Sequence, residues 1–149
     1  MIFQSSTFKR TVVTGLLAAA SLALVPSFSK AATLTSTLSG EAETPPVTTM
    51  GTGTVDVTFT PATKVLKWKI VYSGLSGPVT AAHFHGPALP GQNAGVTLPF
   101  KEKLESPIEG EATLTEAQAA EVLAGKWYVN LHTAANPKGE VRGQVVVSP

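Results

Sequence analysis

Between residues 53 and 72 the chain alternates apolar and polar positions with a period of two. Val55, Val57 and Phe59 fall on one side, with Thr54, Asp56, Thr58 and Thr60 on the other. After Pro61-Ala62-Thr63, Leu66, Trp68, Ile70 and Tyr72 share a side, with Lys67 and Lys69 opposite. Successive side chains of a strand point to opposite faces. The pattern therefore predicts two strands joined as an antiparallel hairpin with one wet face. The same alternation returns over 108–114, where Ile108, Gly110, Ala112 and Leu114 stand against Glu109, Glu111 and Thr113. It returns over 127–133 and over 140–147, where Val141, Gly143, Val145 and Val147 oppose Glu140, Arg142, Gln144 and Val146. Thr33 to Leu38 is β-prone, Thr80 to His85 reads as a strand, and Val96 to Phe100 is a short one.

Proline and glycine punctuate these runs. Pro45-Pro46 marks an ordered loop or edge segment, because proline cannot donate to a ladder. Residues 73–78 and 86–95 read as loops, the second broken by Pro87, Pro90 and Gly91. Asn136-Pro137-Lys138-Gly139 has the chemistry of a type I turn and joins the last two strands as a hairpin. One helix is signalled: Thr115-Glu116-Ala117-Gln118 forms a capping box preceded by Leu114. Gly125 is its stop, and Ala119, Ala120 and Leu123 are its apolar stripe. So short a helix seals an end of the fold rather than carrying chemistry. Seven to nine short strands with turn signals between them predict an all-β Greek-key sandwich or barrel, superoxide dismutase-like or immunoglobulin-like, with one short helix near 115–124.

The first residues change the domain picture. Lys9 and Arg10, the apolar run from Thr11 to Val25 and Ser29-Lys30-Ala31 have the form of a secretory signal peptide. The run is too short, and too soon broken by Pro26, for a membrane span. The expected organisation is a signal peptide over 1–31 and one domain over 32–149, secreted or periplasmic, with no membrane span in the mature chain. The absence of cysteine rules out a thioether lipid anchor and any disulfide. Removing Lys9, Arg10 and Lys30 leaves eight basic residues against ten acidic ones. Nucleic-acid binding then has no electrostatic footing.

The chemistry gathers on histidine. The chain holds three, His83, His85 and His132. His83 and His85 share a strand face about 6.6 Å apart, at ~3.3 Å per residue. His132 shares its face with Tyr128 and Asn130. If the two strands are neighbours, all three imidazoles converge. Neutral imidazole suits copper, zinc and nickel, and three histidines with an open position is a catalytic-zinc arrangement. Because ligands must be neutral, affinity is expected to fall as pH drops through the histidine range near 6.5. The competing reading makes the histidines hydrogen-bonding ties for the 86–95 loop. Arg142, Glu43, Tyr128, Asn130 and Glu140 are the residues available to orient the histidines. Alternatively, an arginine–glutamate pair stitches the last hairpin to the loop holding Glu43. Trp68 and Trp127 read as core. No nucleophile elbow, phosphate loop or dinucleotide fingerprint appears, so a hydrolase has no residues to carry it.

Four segments carry a resemblance. Leu38-Ser39-Gly40-Glu41-Ala42-Glu43-Thr44-Pro45-Pro46, Ala81 to Ala88 around His83-Phe84-His85-Gly86-Pro87, Leu123 to Thr133 around Trp127-Tyr128-Val129-Asn130-Leu131-His132, and Asn136 to Gln144 resemble the hallmark segments of the CHRD (chordin) domain family. The likeness spans essentially the whole mature chain and implies a single-domain exported member. It implies a fold and a location more than an activity. The His-x-His strand is also similar to copper,zinc superoxide dismutase, where such a pair supplies copper ligands. Three histidines cannot fill that two-metal site. The expectations are an exported domain binding one metal ion, copper first and zinc second, through His83, His85 and His132. The alternatives are a metal-free protein-interaction or envelope module, with another protein as partner, and a mononuclear metal redox enzyme.

Overall fold

A computed structural model of the protein describes residues 30–101 and 103–148. The leader expected over 1–31 lies, but for its last two positions, outside the described residues. Eight strands and one helix follow in chain order. They are β1 (Ala32–Ser39), β2 (Thr52–Thr60), β3 (Val65–Ser73), β4 (Val79–His85), β5 (Val96–Pro99), β6 (Ile108–Thr113), α1 (Glu116–Leu123), β7 (Trp127–Thr133) and β8 (Val141–Val147). No helix among the described residues is long and apolar enough to cross a membrane.

The strands form one antiparallel sheet in the order β5-β4-β7-β8-β1-β2-β3-β6. The chain runs β1-β2-β3 as a meander, crosses to the far end for β4 and β5, and returns for β6. It crosses again through α1 to β7. The all-β Greek-key expectation is met in the form of a curled, sandwich-like half-barrel. Ring contacts show the curl. Trp68 of β3 meets Phe84 of β4 edge-on with centroids 5.5 Å apart, although four strands lie between them in the sheet. Trp68 also stacks on Phe100 at 5.1 Å.

The alternation placed the core side correctly. Val55, Val57, Phe59, Leu66, Trp68 and Ile70 are buried, and Thr54, Asp56, Lys67 and Lys69 are exposed. Lys67 and Lys69 pair with Glu111 and Glu109 across β3 and β6, each at 3.1 Å. Trp127, Val129 and Leu131 of β7 and Phe84 of β4 join the same core.

The capping box forms as expected, with Thr115 and Gln118 satisfying each other's backbone N–H groups. At the other end Lys126 N–H bonds Glu121 O and Gly125 N–H bonds Val122 O. This is a Schellman close, with Gly125 at φ +69°. The apolar stripe is corrected. Ala119 and Val122 are buried, whereas Ala120 and Leu123 are exposed. Alanine has too little area to set the roll of a helix. Leu114, buried just before the cap, and the Trp127 indole donating to Glu121 at 3.1 Å set it instead.

The outer face of β4, β7 and β8 is covered as well. Tyr128, Asn130 and Arg142 are only 3 %, 3 % and 2 % exposed. Two loops lie over them, 40–50 and 86–95. Asn93 ties one loop to the other by donating to Thr44 O at 3.2 Å. Gln144 anchors the second, donating to Ala88 O at 2.9 Å. A polar layer thus sits between the sheet and its loops.

Candidate metal centre

β4 and β7 are neighbours, and their register sets the geometry. His83 stands opposite Asn130, His85 opposite Tyr128 and Ala81 opposite His132. His132 is therefore the diagonal neighbour of His83 on one face, within reach of a long side chain. One ring nitrogen from each of His83, His85 and His132 lies within 4.8 Å of the others. The ring centroids are 5.3 Å apart for His83 and His85, and 5.0 Å for His83 and His132. His85 and His132 are 6.4 Å apart. His85 is buried, while His83 and His132 are half-buried.

Hydrogen bonds fix the tautomers. His85 Nδ1 lies 3.0 Å from Ala94 O, and His132 Nδ1 lies 3.1 Å from Pro137 O. A carbonyl only accepts, so both Nδ1 atoms carry the proton and both Nε2 atoms present a bare lone pair. His83 Nδ1 stands 3.2 Å from His132 Nε2, and His83 is the donor there. His85 Nε2 is buried and has no hydrogen-bond partner among the described residues. A backbone carbonyl on one ring nitrogen and a free lone pair on the other is how metal-ligating histidines are oriented.

All three rings are held neutral. Burial lowers the pKa of His83 to about 4, helped by the nearby His132 and His85. Burial also lowers that of His85 against the pull of its bonds to Ala94 and Gly95, with His132 and Arg142 adding to the effect. For His132, burial outweighs the bond to Pro137. The rings therefore stay neutral to lower pH than ordinary histidines, which titrate near 6.5.

The surrounding residues take distinct places. Tyr128, on the strand between β4 and β8, stacks on His85 with centroids 4.8 Å apart and planes 2° from parallel. The Arg142 guanidinium lies 3.4 Å from the centre of the same tyrosine ring, a cation–π contact. Tyr128 reaches no imidazole by hydrogen bond. Its hydroxyl accepts from Ala94 N–H at 3.2 Å and donates to Ala94 O at 3.3 Å. Asn130 Nδ2 donates to Glu43 Oε1 at 2.6 Å, and its Oδ1 is a buried acceptor without a partner among the described residues. Burial raises the Glu43 carboxyl to about 7, against the opposing pull of Arg142 and Asn130.

Arg142 pairs with neither glutamate among the ion pairs of the described residues. It donates to Asn93 Oδ1 at 2.9 Å and to Gln92 O. Glu140 lies apart from the histidines, accepting from Thr49, Ser76 and Thr133. The carbonyl of Pro137 was not foreseen, since a backbone acceptor leaves no mark in residue type; the reading of the histidines as ties for the 86–95 loop is met by His85 at Ala94 O. The position of the 86–95 loop directly after the histidine strand was the available signal. A cleft of about 400 Å³ opens beside the layer, lined by Glu41, Glu43, Pro46, Pro90, Arg142 and Gln144, with no histidine on its wall.

Fold and site together define a curled all-β domain whose outer face brings three neutral histidines together. Residues 34–145, most of the chain, match the CHRD domain family. The chain belongs to that family. No curated protein and no solved structure gives a significant match.

Proposed function

We propose that this CHRD domain is an exported metal-binding protein, with His83, His85 and His132 as ligands and copper preferred to zinc. The observation that carries the reading is His85 Nε2, a buried lone pair without a partner among the described residues, in a cluster whose ring nitrogens lie within 4.8 Å. Leaving such an atom unmet costs about 1–3 kcal/mol, and a metal ion meets it. His83 would hold the ion through the Nδ1 that now donates to His132, with its proton carried on Nε2 instead. Bound copper would supply Lewis acidity or one-electron chemistry, and the chain's own residues hold the three rings still.

Titration of copper(II) and zinc(II) into the wild type and the His83→Ala/His85→Ala/His132→Ala variant tests this. One tight equivalent is expected in the wild type and none in the variant. Equal weak binding in both refutes it. Export rests on the 1–31 pattern, and mass spectrometry is expected to find a mature end near Ala32; an intact Met1 end refutes it. A metal-free interaction module is favoured by one observation: the Nδ1 contacts of His85 and His132 also tie two loops to the sheet.

A further inference from the structure

The site's charge arrangement says which ion it suits. All three ligands are neutral, and no carboxylate is within their cluster. The two ligand N–H groups that are fixed point at neutral carbonyls, Ala94 O and Pro137 O. Metal-ligating histidines often donate to a carboxylate instead, which adds negative charge behind the ring. On the other side of His85 the charge is positive: Arg142 lies over Tyr128, and Tyr128 lies over His85.

The remaining charges do not reverse this. Glu43, its carboxyl raised to about 7 and so partly ionised at neutral pH, is turned to Asn130 and is not one of the clustered groups. Glu140 bonds Thr133, the residue after His132, and so lies toward the opposite face of β7. Lys138, on the turn beside Pro137, is exposed and cationic. Residues 86–99, which cover the site through the loop and β5, carry no charged side chain.

We infer that the centre is built for monovalent copper rather than for a divalent ion. The inference rests on the copper reading above. The Born cost of desolvating an ion scales with the square of its charge, so a dication pays about four times as much as a monocation of equal radius. An anionic ligand would offset that difference and here the set holds none, so a dication such as zinc, which three histidines can also hold, bears the full cost. The guanidinium adds repulsion that is twice as large for the dication. Copper(I) also accepts three nitrogen donors as a complete trigonal set, whereas copper(II) favours a flattened geometry with more ligands.

The test is anaerobic competition at pH 7.5 against a chromophoric chelator, with copper(I) kept reduced by ascorbate. Parallel competitions use copper(II) and zinc(II). Copper(I) is expected to bind at least 100-fold more tightly than either. Copper(II) or zinc(II) binding as tightly as copper(I) overturns the inference. Arg142→Gln, checked for folding by circular dichroism, is expected to narrow the copper(I)–copper(II) gap about tenfold, equivalent to a fall of about 59 mV in reduction potential. An unchanged gap in that variant overturns the electrostatic basis. If no ion distinguishes the wild type from the triple-alanine variant, the histidine site itself fails, which is a separate result.

Discussion

Replacing Glu140 by glutamine is expected to weaken the fold without touching the histidines. Glu140 is fully buried, at 0 % exposure. Its Oε1 accepts from the Thr49 hydroxyl at 2.6 Å and Ser76 N–H at 2.8 Å. Its Oε2 accepts from the Ser76 and Thr133 hydroxyls at 2.5 and 2.6 Å. Burial alone would raise the carboxyl pKa; these bonds outweigh it and hold the group at about 2 against an ordinary 4.5. At about 1.4 kcal/mol per tenfold, the ionised form contributes roughly 3 kcal/mol. Because the folded pKa is the lower one, that stability is complete above about pH 4.5 and is lost as pH falls towards 2. Glutamine keeps the volume but loses the charge, and sets an NH₂ group against donors. Urea unfolding followed by circular dichroism is expected to show a loss of about 2–3 kcal/mol at pH 7. The gap should shrink to less than half by about pH 3. A loss under about 1 kcal/mol at pH 7, or a gap that does not change with pH, refutes the reasoning. Metal affinity of the variant is expected to stay within about threefold of wild type, because every side-chain bond of Glu140 leads away from the site. A tenfold loss would give Glu140 the ligand-orienting role.

Three further outcomes follow from the same layer. Ion affinity should persist to lower pH than ordinary histidines would allow, because burial lowers the pKa of His83 to about 4 and also lowers those of His85 and His132; titration from pH 8 downwards checks it, and a steep fall centred near 6.5 counts against it. Glu43→Gln should be more stable than wild type at pH 8 by ~1–2 kcal/mol, with the advantage gone at pH 4. The raised Glu43 pKa of about 7 makes stability fall as pH rises from 4.5 through 7, and thermal melts at the two pH values read this directly. Gly139→Ala should cost about 2 kcal/mol or more in chemical denaturation, since Gly139 sits at φ +125° and a Cβ there would strike Asn130 Nδ2 and Glu43 Oε1.

The strands and the helix caps were legible because each is written locally. Val55-Asp56-Val57-Thr58-Phe59 shows its period in five residues, and Thr115 with Gln118 shows a capping box in four. The His83 and His85 pairing was legible for the same reason. Their meeting with His132 was conditional on β4 lying beside β7, a long-range fact that no local period records. Nor does alternation separate a wet face from a covered one: Tyr128, Asn130 and Arg142 occupy polar-face positions and are buried under loops. One of the two readings of Arg142 gave it a glutamate as partner. Glu140 instead takes the donors of Thr49, Ser76 and Thr133, and Glu43 takes Asn130, leaving the guanidinium to Asn93, Gln92 and the Tyr128 ring.

The position of β8 has a consequence for how the domain comes into being. It is the one strand that joins β5-β4-β7 to β1-β2-β3-β6 by hydrogen bonds. Without it the sheet is two separate pieces, each with a raw edge, β7 on one side and β1 on the other. Thr35 and Ser148 meet hydroxyl to hydroxyl at 3.3 Å across 113 positions of the chain, so the seam closes the longest loop in the fold. Such closure is entropically late. A chain emerging from its N-terminal side can form the β1–β3 meander early, yet it stays open until β8 arrives. Arg142 arrives with the same strand and stacks Tyr128 against His85, so the histidine cluster is completed in the step that fastens the two halves together.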